Sequence, residues 1–170
     1  MERLNYILHK IVTKEEIIQH RALFAMKNQR VVFTNGCFDI VHPGHVTYLA
    51  KAASFGNKLI VGLNSDESVR SLNKAPDRPV NSQDARGLVL AALGFVDLVF
   101  VFTESTPEKL IELIKPDVLV KGGDYDADET DPSSKKYIVG SEFVKSYGGE
   151  VKTIDLVQGF STTSIIEKLK

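Results

Sequence analysis

The sequence predicts a single α/β domain built on a central parallel sheet of about five strands, with helices over both faces. Three observations carry that prediction. Short β-branched apolar runs alternate with longer segments of helical periodicity along the chain, the pattern of strands joined by crossover helices. The runs are continuously apolar, as befits strands buried on both faces. The segments that follow them are polar or glycine-rich, and open parallel sheets bind ligands beyond the carboxyl ends of their strands.

Each element follows in order. Residues 14–28 read as an amphipathic helix with Ile18, Ala22, Ala25 and Met26 on one face. That face is expected to pack on the protein's own sheet or on a second subunit. Residues 30–35 form a buried strand ending at Gly36, and Pro43 opens a helix with a stripe of Val46, Leu49, Ala50 and Ala53. A second strand spans 59–64, a polar loop with Pro76 and Pro79 spans 71–83, and a helix covers 84–93. The third strand is expected at 96–102. Thr106 and Pro107 then mark a helix start, as capping residue and first helical position, and Pro116 ends that helix. The fourth strand is 117–121, followed by a Gly122-Gly123 turn and an acidic, mobile loop over 124–136. A helix at 137–147, a strand at 150–155 and a helix from Ser161 complete the chain. Residues 1–28 form a helical extension and residues 29–170 the main domain.

The chain has 170 residues, 43% of them hydrophobic and 25% charged, which excludes a disordered or collagen-like chain. Twenty-one basic and 22 acidic side chains give a net charge of −1, without the basic balance expected of a nucleic-acid binder. No apolar run approaches the roughly 20 residues of a membrane helix, and residues 1–14 carry charges throughout rather than a signal-peptide core. Cys37 stands alone, so neither an internal disulfide nor a multi-cysteine zinc site is available. The expectation is a cytoplasmic protein with small-molecule substrates and neither nucleic-acid nor membrane partners.

The post-strand segments 34–45, 64–66, 121–124 and 158–163 should converge on one site. Two nucleotide signatures are absent: the P-loop pattern G-x-x-x-x-G-K and the dinucleotide turn G-x-G-x-x-G. The first strand instead runs into Thr34-Asn-Gly-Cys-Phe-Asp-Ile-Val-His-Pro-Gly-His45. His42 and His45 flank a helix start, Pro43 fixes its first turn, and Gly44 lets a ligand approach the backbone. The free N–H groups and dipole of that turn favour an anion. A zinc site is disfavoured, because no third histidine or cysteine ligand is near. Lys121, at the end of a buried strand, is costly unless it meets an anion, so Lys121 and Asp124 are expected to bind phosphate or nucleotide. Asp124, Asp126 and Asp128 do not make a calcium loop, because Glu129 stands at the sixth position and Lys135 at the twelfth.

The run from Asn35 to His45 resembles the signature of the H-x-G-H nucleotidyltransferase superfamily. Thr34-Asn-Gly36, Asn64-Ser-Asp66, Arg78-Pro-Val-Asn81, Val120-Lys-Gly-Gly-Asp-Tyr125 and Gly159-Phe-Ser-Thr-Thr163 extend the likeness. Together they resemble bacterial heptose 1-phosphate adenylyltransferases, including the second domain of bifunctional heptose kinase/adenylyltransferases. The resemblance implies a Rossmann-like three-layer sandwich and transfer of an adenylyl group from ATP to D-glycero-β-D-manno-heptose 1-phosphate. Attack on the α-phosphate is direct, with Mg²⁺ held mainly by the triphosphate, in a stand-alone homo-oligomeric enzyme of ADP-heptose and lipopolysaccharide synthesis.

By the same resemblance, His42, His45, Lys74 and Arg86 are the catalytic candidates. Asn35, Gly36, Cys37, Phe38, Asp39, Gly44, Lys121, Gly122, Asp124, Ser161, Thr162 and Thr163 bind nucleotide, and Asn64, Asp66, Lys74 and Lys121 bind the second substrate. The hydroxyls of residues 161–163 cap the last helix as well. Arg78 serves the fold of its loop and Arg70 is solvated. Cys37 acts through its backbone, where many superfamily members carry Thr. Glycerol-3-phosphate cytidylyltransferases place an Arg shortly before their Ser-Thr-Thr; here the stretch is Leu156-Val-Gln-Gly159, which argues against that branch. The alternatives are a polyol-phosphate cytidylyltransferase and a non-catalytic nucleotide sensor.

Overall fold

A computed structural model describes residues 2–72 and 78–169. Five parallel strands, β1 (Val31–Gly36), β2 (Lys58–Asn64), β3 (Leu98–Phe102), β4 (Val118–Gly122) and β5 (Glu150–Ile154), form one sheet in the order β3-β2-β1-β4-β5. The predicted Rossmann-like α/β architecture is the one observed. Eight helices are described: α1 (Arg3–Leu8), α2 (Lys14–Met26), α3 (Pro43–Ala53), α4 (Asp66–Ser71), α5 (Gln83–Ala92), α6 (Glu108–Ile114), α7 (Ser141–Ser146) and α8 (Thr162–Leu169).

The alternation of side chains along each strand divides the core into two layers. Val32, Val61, Val118 and Val120 face Leu49 and Ala52 of α3 and Leu90 and Ala91 of α5. Val31, Phe33, Ile60 and Leu119 face Ile17 and Phe24 of α2, Ile111 and Ile114 of α6, and Val144 of α7. The chain visits β2 and β3 on one side of β1, then crosses to β4 and β5 on the other. Beyond the end of β1 the neighbouring loops therefore diverge, which opens a crevice.

The N-terminal segment closes against this sheet. Val99 of the edge strand β3 accepts from the Val12 N–H at 3.0 Å and donates to the Lys10 carbonyl at 2.8 Å, making a parallel bridge between Ile11 and Val99. Thr13 caps α2 in a reciprocal capping box with Glu16.

Several sequence expectations are corrected. On α2 the buried residues are Ile17 and Phe24, whereas Ile18, Ala22, Ala25 and Met26 face outward, with Met26 85% exposed. The helix carries apolar residues around most of its girth, and the two bulky residues seven apart take the sheet side. On α3, Leu49 is buried as expected, together with Tyr48 and Ala52, whereas Val46, Ala50 and Ala53 are half-buried. The helix expected over 137–147 begins only at Ser141, because Gly140 precedes it at φ +85°. At α6 the cap is Pro107 and no side chain caps the helix. The six-residue helices α1 and α4 were not foreseen.

Candidate active site

The cleft is built from the end of β1. Thr34 is buried and its hydroxyl pairs with the Tyr48 hydroxyl at 2.7 Å. Tyr48 in turn donates to the Val120 carbonyl at 3.2 Å, tying α3 to β1 and β4. Past Gly36 the backbone turns sharply, with Phe38 at φ +44°, and Asp39 anchors the turn. The buried Asp39 carboxylate accepts from the Val80 and Asn81 N–H groups at 2.9 and 3.0 Å and from Arg78 Nε at 3.0 Å. Its carbonyl accepts from the Asn81 side-chain amide at 2.7 Å. Burial pushes the Asp39 carboxyl up, but the Asn81 and Val80 N–H groups and Arg78 outweigh it and hold it below the ordinary range. Arg78 thus braces the Asp39 turn, and it also borders the cleft.

His42 is the N-cap of α3: its Nδ1 accepts from the His45 backbone N–H at 3.3 Å, with Pro43 in the first helical turn. An accepting Nδ1 places the proton of the neutral ring on Nε2. The two imidazoles stack at 3.8 Å between centroids, 18° from parallel, and Phe38 packs edge-on against His45. Gly44 permits this closeness, since a Cβ there would lie 3.0 Å from the His42 ring and 3.2 Å from Phe160 Cβ. Burial lowers His42. Burial, with the neighbouring His42 and Arg78 charges, pushes His45 down to about 4. Both rings are therefore neutral near pH 7. His45 Nδ1 is shut off from solvent and lacks a well-formed hydrogen bond among the described residues, and contact with the Ile40 backbone partly offsets the effect of burial.

Around this pair lies a cleft of about 540 Å³, in the size range of small-molecule sites. All the nucleotide-binding candidates border it, namely those of residues 35–45, Lys121, Gly122, Asp124 and residues 161–163, and so does Asn64. Lys121 is 9% exposed; its Nζ donates to Asn35 Oδ1 at 2.5 Å and lies 5.4 Å from the Tyr125 ring centre. An amide oxygen and a π face therefore receive the buried cation. A Cβ on Gly122 would lie 2.8 Å from Asp124 Oδ1, so glycine lets the Asp124 side chain fold back beside β4. Ser161 caps α8, its Oγ accepting from the Ser164 N–H at 3.0 Å, and Thr162 is buried beside it.

Two candidates sit elsewhere. Arg86 is 1% exposed and lies behind the cleft wall. Its Nε donates to the Asn81 carbonyl at 3.0 Å, one Nη to the Cys37 carbonyl at 2.6 Å, and the other to Asp66 Oδ1 at 2.8 Å. It is corrected from a catalytic candidate to a strut joining three segments, and Asp66 is its partner rather than part of the cleft lining. Lys74 lies outside the described residues. The sequence reading missed Ser105 and Thr106 after β3 and Leu156 after β5 as lining residues, while Tyr125 and Phe160, which also border the cleft, belong to motifs it quoted without a role. All of them follow strands, which was the available signal.

The sequence matches the family described as cytidylyltransferase-like over residues 33–168. The chain belongs to the cytidylyltransferase-like family. "Bifunctional protein HldE" of Pseudomonas fluorescens is 54% identical over 143 residues, which cover 84% of this chain and 28% of that relative. This cytidylyltransferase-like chain thus spans under a third of the length of the curated relative it matches. Among solved structures, pantothenate synthetase from Thermus thermophilus superposes with a TM-score of 0.61 at 15% identity, covering 92% of this chain and 67% of that one. The lipopolysaccharide core biosynthesis protein from Thermoplasma volcanium does so at 0.57 and 24% identity, covering 76% of this chain and 97% of that one. These two likenesses establish a shared fold. No described helix is long and apolar enough to cross a membrane.

Proposed function

We propose that this chain is an adenylyltransferase that joins ATP and D-glycero-β-D-manno-heptose 1-phosphate to give ADP-heptose and pyrophosphate. The observation that carries the reading is the pair of stacked, neutral imidazoles at the N-terminus of α3, facing a cleft bordered by the strand-end motifs. The 54% identity to Bifunctional protein HldE supports the substrate assignment. Leu156-Val-Gln-Gly159, which lacks the arginine of the glycerol-phosphate branch, weighs against CTP.

In this reading an oxygen of the sugar phosphate bonds to the α-phosphorus while the bond from that phosphorus to the bridging oxygen of pyrophosphate breaks. No covalent enzyme intermediate forms. The cleft holds the reactants in line, and N–H donors aimed at the α-phosphate and bridging oxygens meet the charge that develops. His42 offers Nε2–H, and His45 supplies a second imidazole 3.8 Å away. The first turn of α8, with Ser161 and Thr162, is assigned to the triphosphate. Among the described residues no three His, Cys, Asp or Glu side chains converge as metal ligands. The residues do not form a metal cage, so Mg²⁺ is assigned to the triphosphate as part of the substrate and no step is routed through it.

We further assign residues 1–28 as a helical extension of the domain at 29–170, and a homo-oligomer in the cytoplasm as the working form. The outward apolar face of α2, with Ile18 47% exposed, supports the oligomer, which the mass in solution tests.

Because burial lowers both histidines, bringing the triphosphate beside them favours the protonated form and raises their pKa values. Nucleotide binding should therefore take up protons at pH values above the lowered pKa of the free site, about 4 for His45, and weaken as pH rises through the raised values of the bound state. Calorimetric titration of ATP in buffers of different ionisation enthalpy reads the uptake directly, and proton release overturns the placement.

The decisive experiment is pyrophosphate release from ATP and Mg²⁺, with and without the heptose 1-phosphate. Sugar-dependent release is expected. Release only with CTP and glycerol 3-phosphate assigns a cytidylyltransferase, and ATP binding without turnover a sensor.

A further inference from the structure

β1 divides the cleft into two chemically different halves. Beyond β4 and β5 the lining contains Lys121, Asp124, the hydroxyls opening α8, and the rings of Tyr125 and Phe160. A cation, a helix start and aromatic faces suit a nucleoside triphosphate. Beyond β2, α4 and β3 the lining comprises Asn64, Leu72, Arg78, Ser105, Thr106 and Pro107. Among the described residues, Arg78 is the one charged side chain on this half, and it is paired with the Asp39 carboxylate, so the loop after β3 presents only uncharged groups.

In-line displacement requires the acceptor and the departing pyrophosphate on opposite sides of the α-phosphorus. With the triphosphate on the β4–β5 side, as the proposed function has it, the acceptor occupies the β2–β3 side. Uncharged amide and hydroxyl groups beside one apolar wall are the complement of a polyhydroxylated body whose only charge is its phosphate.

The loop that carries Ser105 and Thr106 is anchored at both ends. Asn64 Nδ2 donates to Ser68 Oγ at 2.9 Å, and Ser68 Oγ donates to the Glu104 carbonyl at 3.2 Å. The Ser65 N–H donates to the Phe102 carbonyl at 2.9 Å, and Pro107 fixes the far end as the cap of α6. Asn64 and the 103–107 loop are thereby one unit, as a site that discriminates between similar ligands requires.

We propose that Ser105 and Thr106 are specificity-determining residues that read hydroxyl groups of the acceptor sugar phosphate. The proposal rests on the adenylyltransferase reading. Ser105→Ala, Thr106→Val and the double variant test it, because both residues are exposed and neither caps a helix. Each single change should raise KM for the sugar phosphate roughly three- to tenfold, the worth of one net hydrogen bond. KM for ATP should stay within about twofold and the melting temperature should not move.

Binding of D-glycero-β-D-manno-heptose 1-phosphate, titrated calorimetrically with a non-hydrolysable ATP analogue present, separates this proposal from the catalytic one. Wild-type binding that the double variant weakens supports the inference even if turnover is absent and the adenylyltransferase reading fails. Equal binding by wild type and double variant overturns the inference. So does a rise confined to KM for ATP, or no sugar-phosphate binding by the wild type.

Discussion

His45→Ala is expected to lower kcat for pyrophosphate release by about 10²–10³-fold, the usual cost of removing one preorganised donor to a developing oxyanion, while leaving the fold intact. The fold is spared because the bond that caps α3 uses the backbone N–H of residue 45 and the Nδ1 of His42. Alanine keeps that N–H. His42→Ala removes the acceptor instead, so it should lose turnover and also about 1 kcal/mol of stability, the typical worth of an N-cap. The two variants thus share a kinetic defect and differ in melting temperature. A His45→Ala enzyme within about threefold of wild-type kcat would falsify the assignment, given the size of effect a lost donor normally has.

Arg86→Met should be the most destabilising single change. It removes a guanidinium with a fully buried side chain, leaving the Cys37 and Asn81 carbonyls short of a donor and Asp66 without its ion pair. Each buried group left unsatisfied costs about 1–3 kcal/mol. Loss of one partner from a buried pair costs about 3–5 kcal/mol, and Asp66 reaches water through a side chain 25% exposed. A total near 3–5 kcal/mol corresponds to a melting temperature lower by roughly 6–20 °C for a domain of this size. Arg86→Lys keeps a charge for Asp66 but lacks the three-way fork, so it should recover only part of the loss. The Cys37 carbonyl borders the turn that sets His42, so kcat should fall with stability. A catalytic role would show the reverse, a large kcat loss with an unchanged melting temperature.

The central parallel strands were legible because they are buried on both faces and so read as unbroken apolar runs, as in Leu59-Ile-Val-Gly-Leu63, whereas the edge strand β5 is mostly exposed or half-buried. The residues past their ends were legible as a site for the same reason: topology alone brings them together. Side-chain direction was not. Arg86 is a catalytic candidate by resemblance, one turn into a helix, yet its Cys37 and Asp66 partners belong to segments whose approach only the tertiary fold decides. On α2 the sequence offers two apolar faces, and the choice of Ile17 and Phe24 over Ile18 and Met26 is made by the sheet. Helices of six residues, α1 and α4, carry too few turns for a periodicity to register. Thr106-Pro107 drew attention as a capping signal, and that reading hid the role of Ser105 and Thr106 as lining.

The bridge between Ile11 and Val99 bears on solubility. An open parallel sheet ends in two strands whose outer backbone invites another chain to add to it, the route to edge-to-edge aggregation. Here the chain's own segment 10–12 occupies the middle of one margin, saturating both the N–H and the carbonyl of Val99. A foreign strand cannot zip along β3 without first peeling that segment away. The opposite margin, β5, carries Glu150 and Lys152, charges of the kind that discourage such pairing.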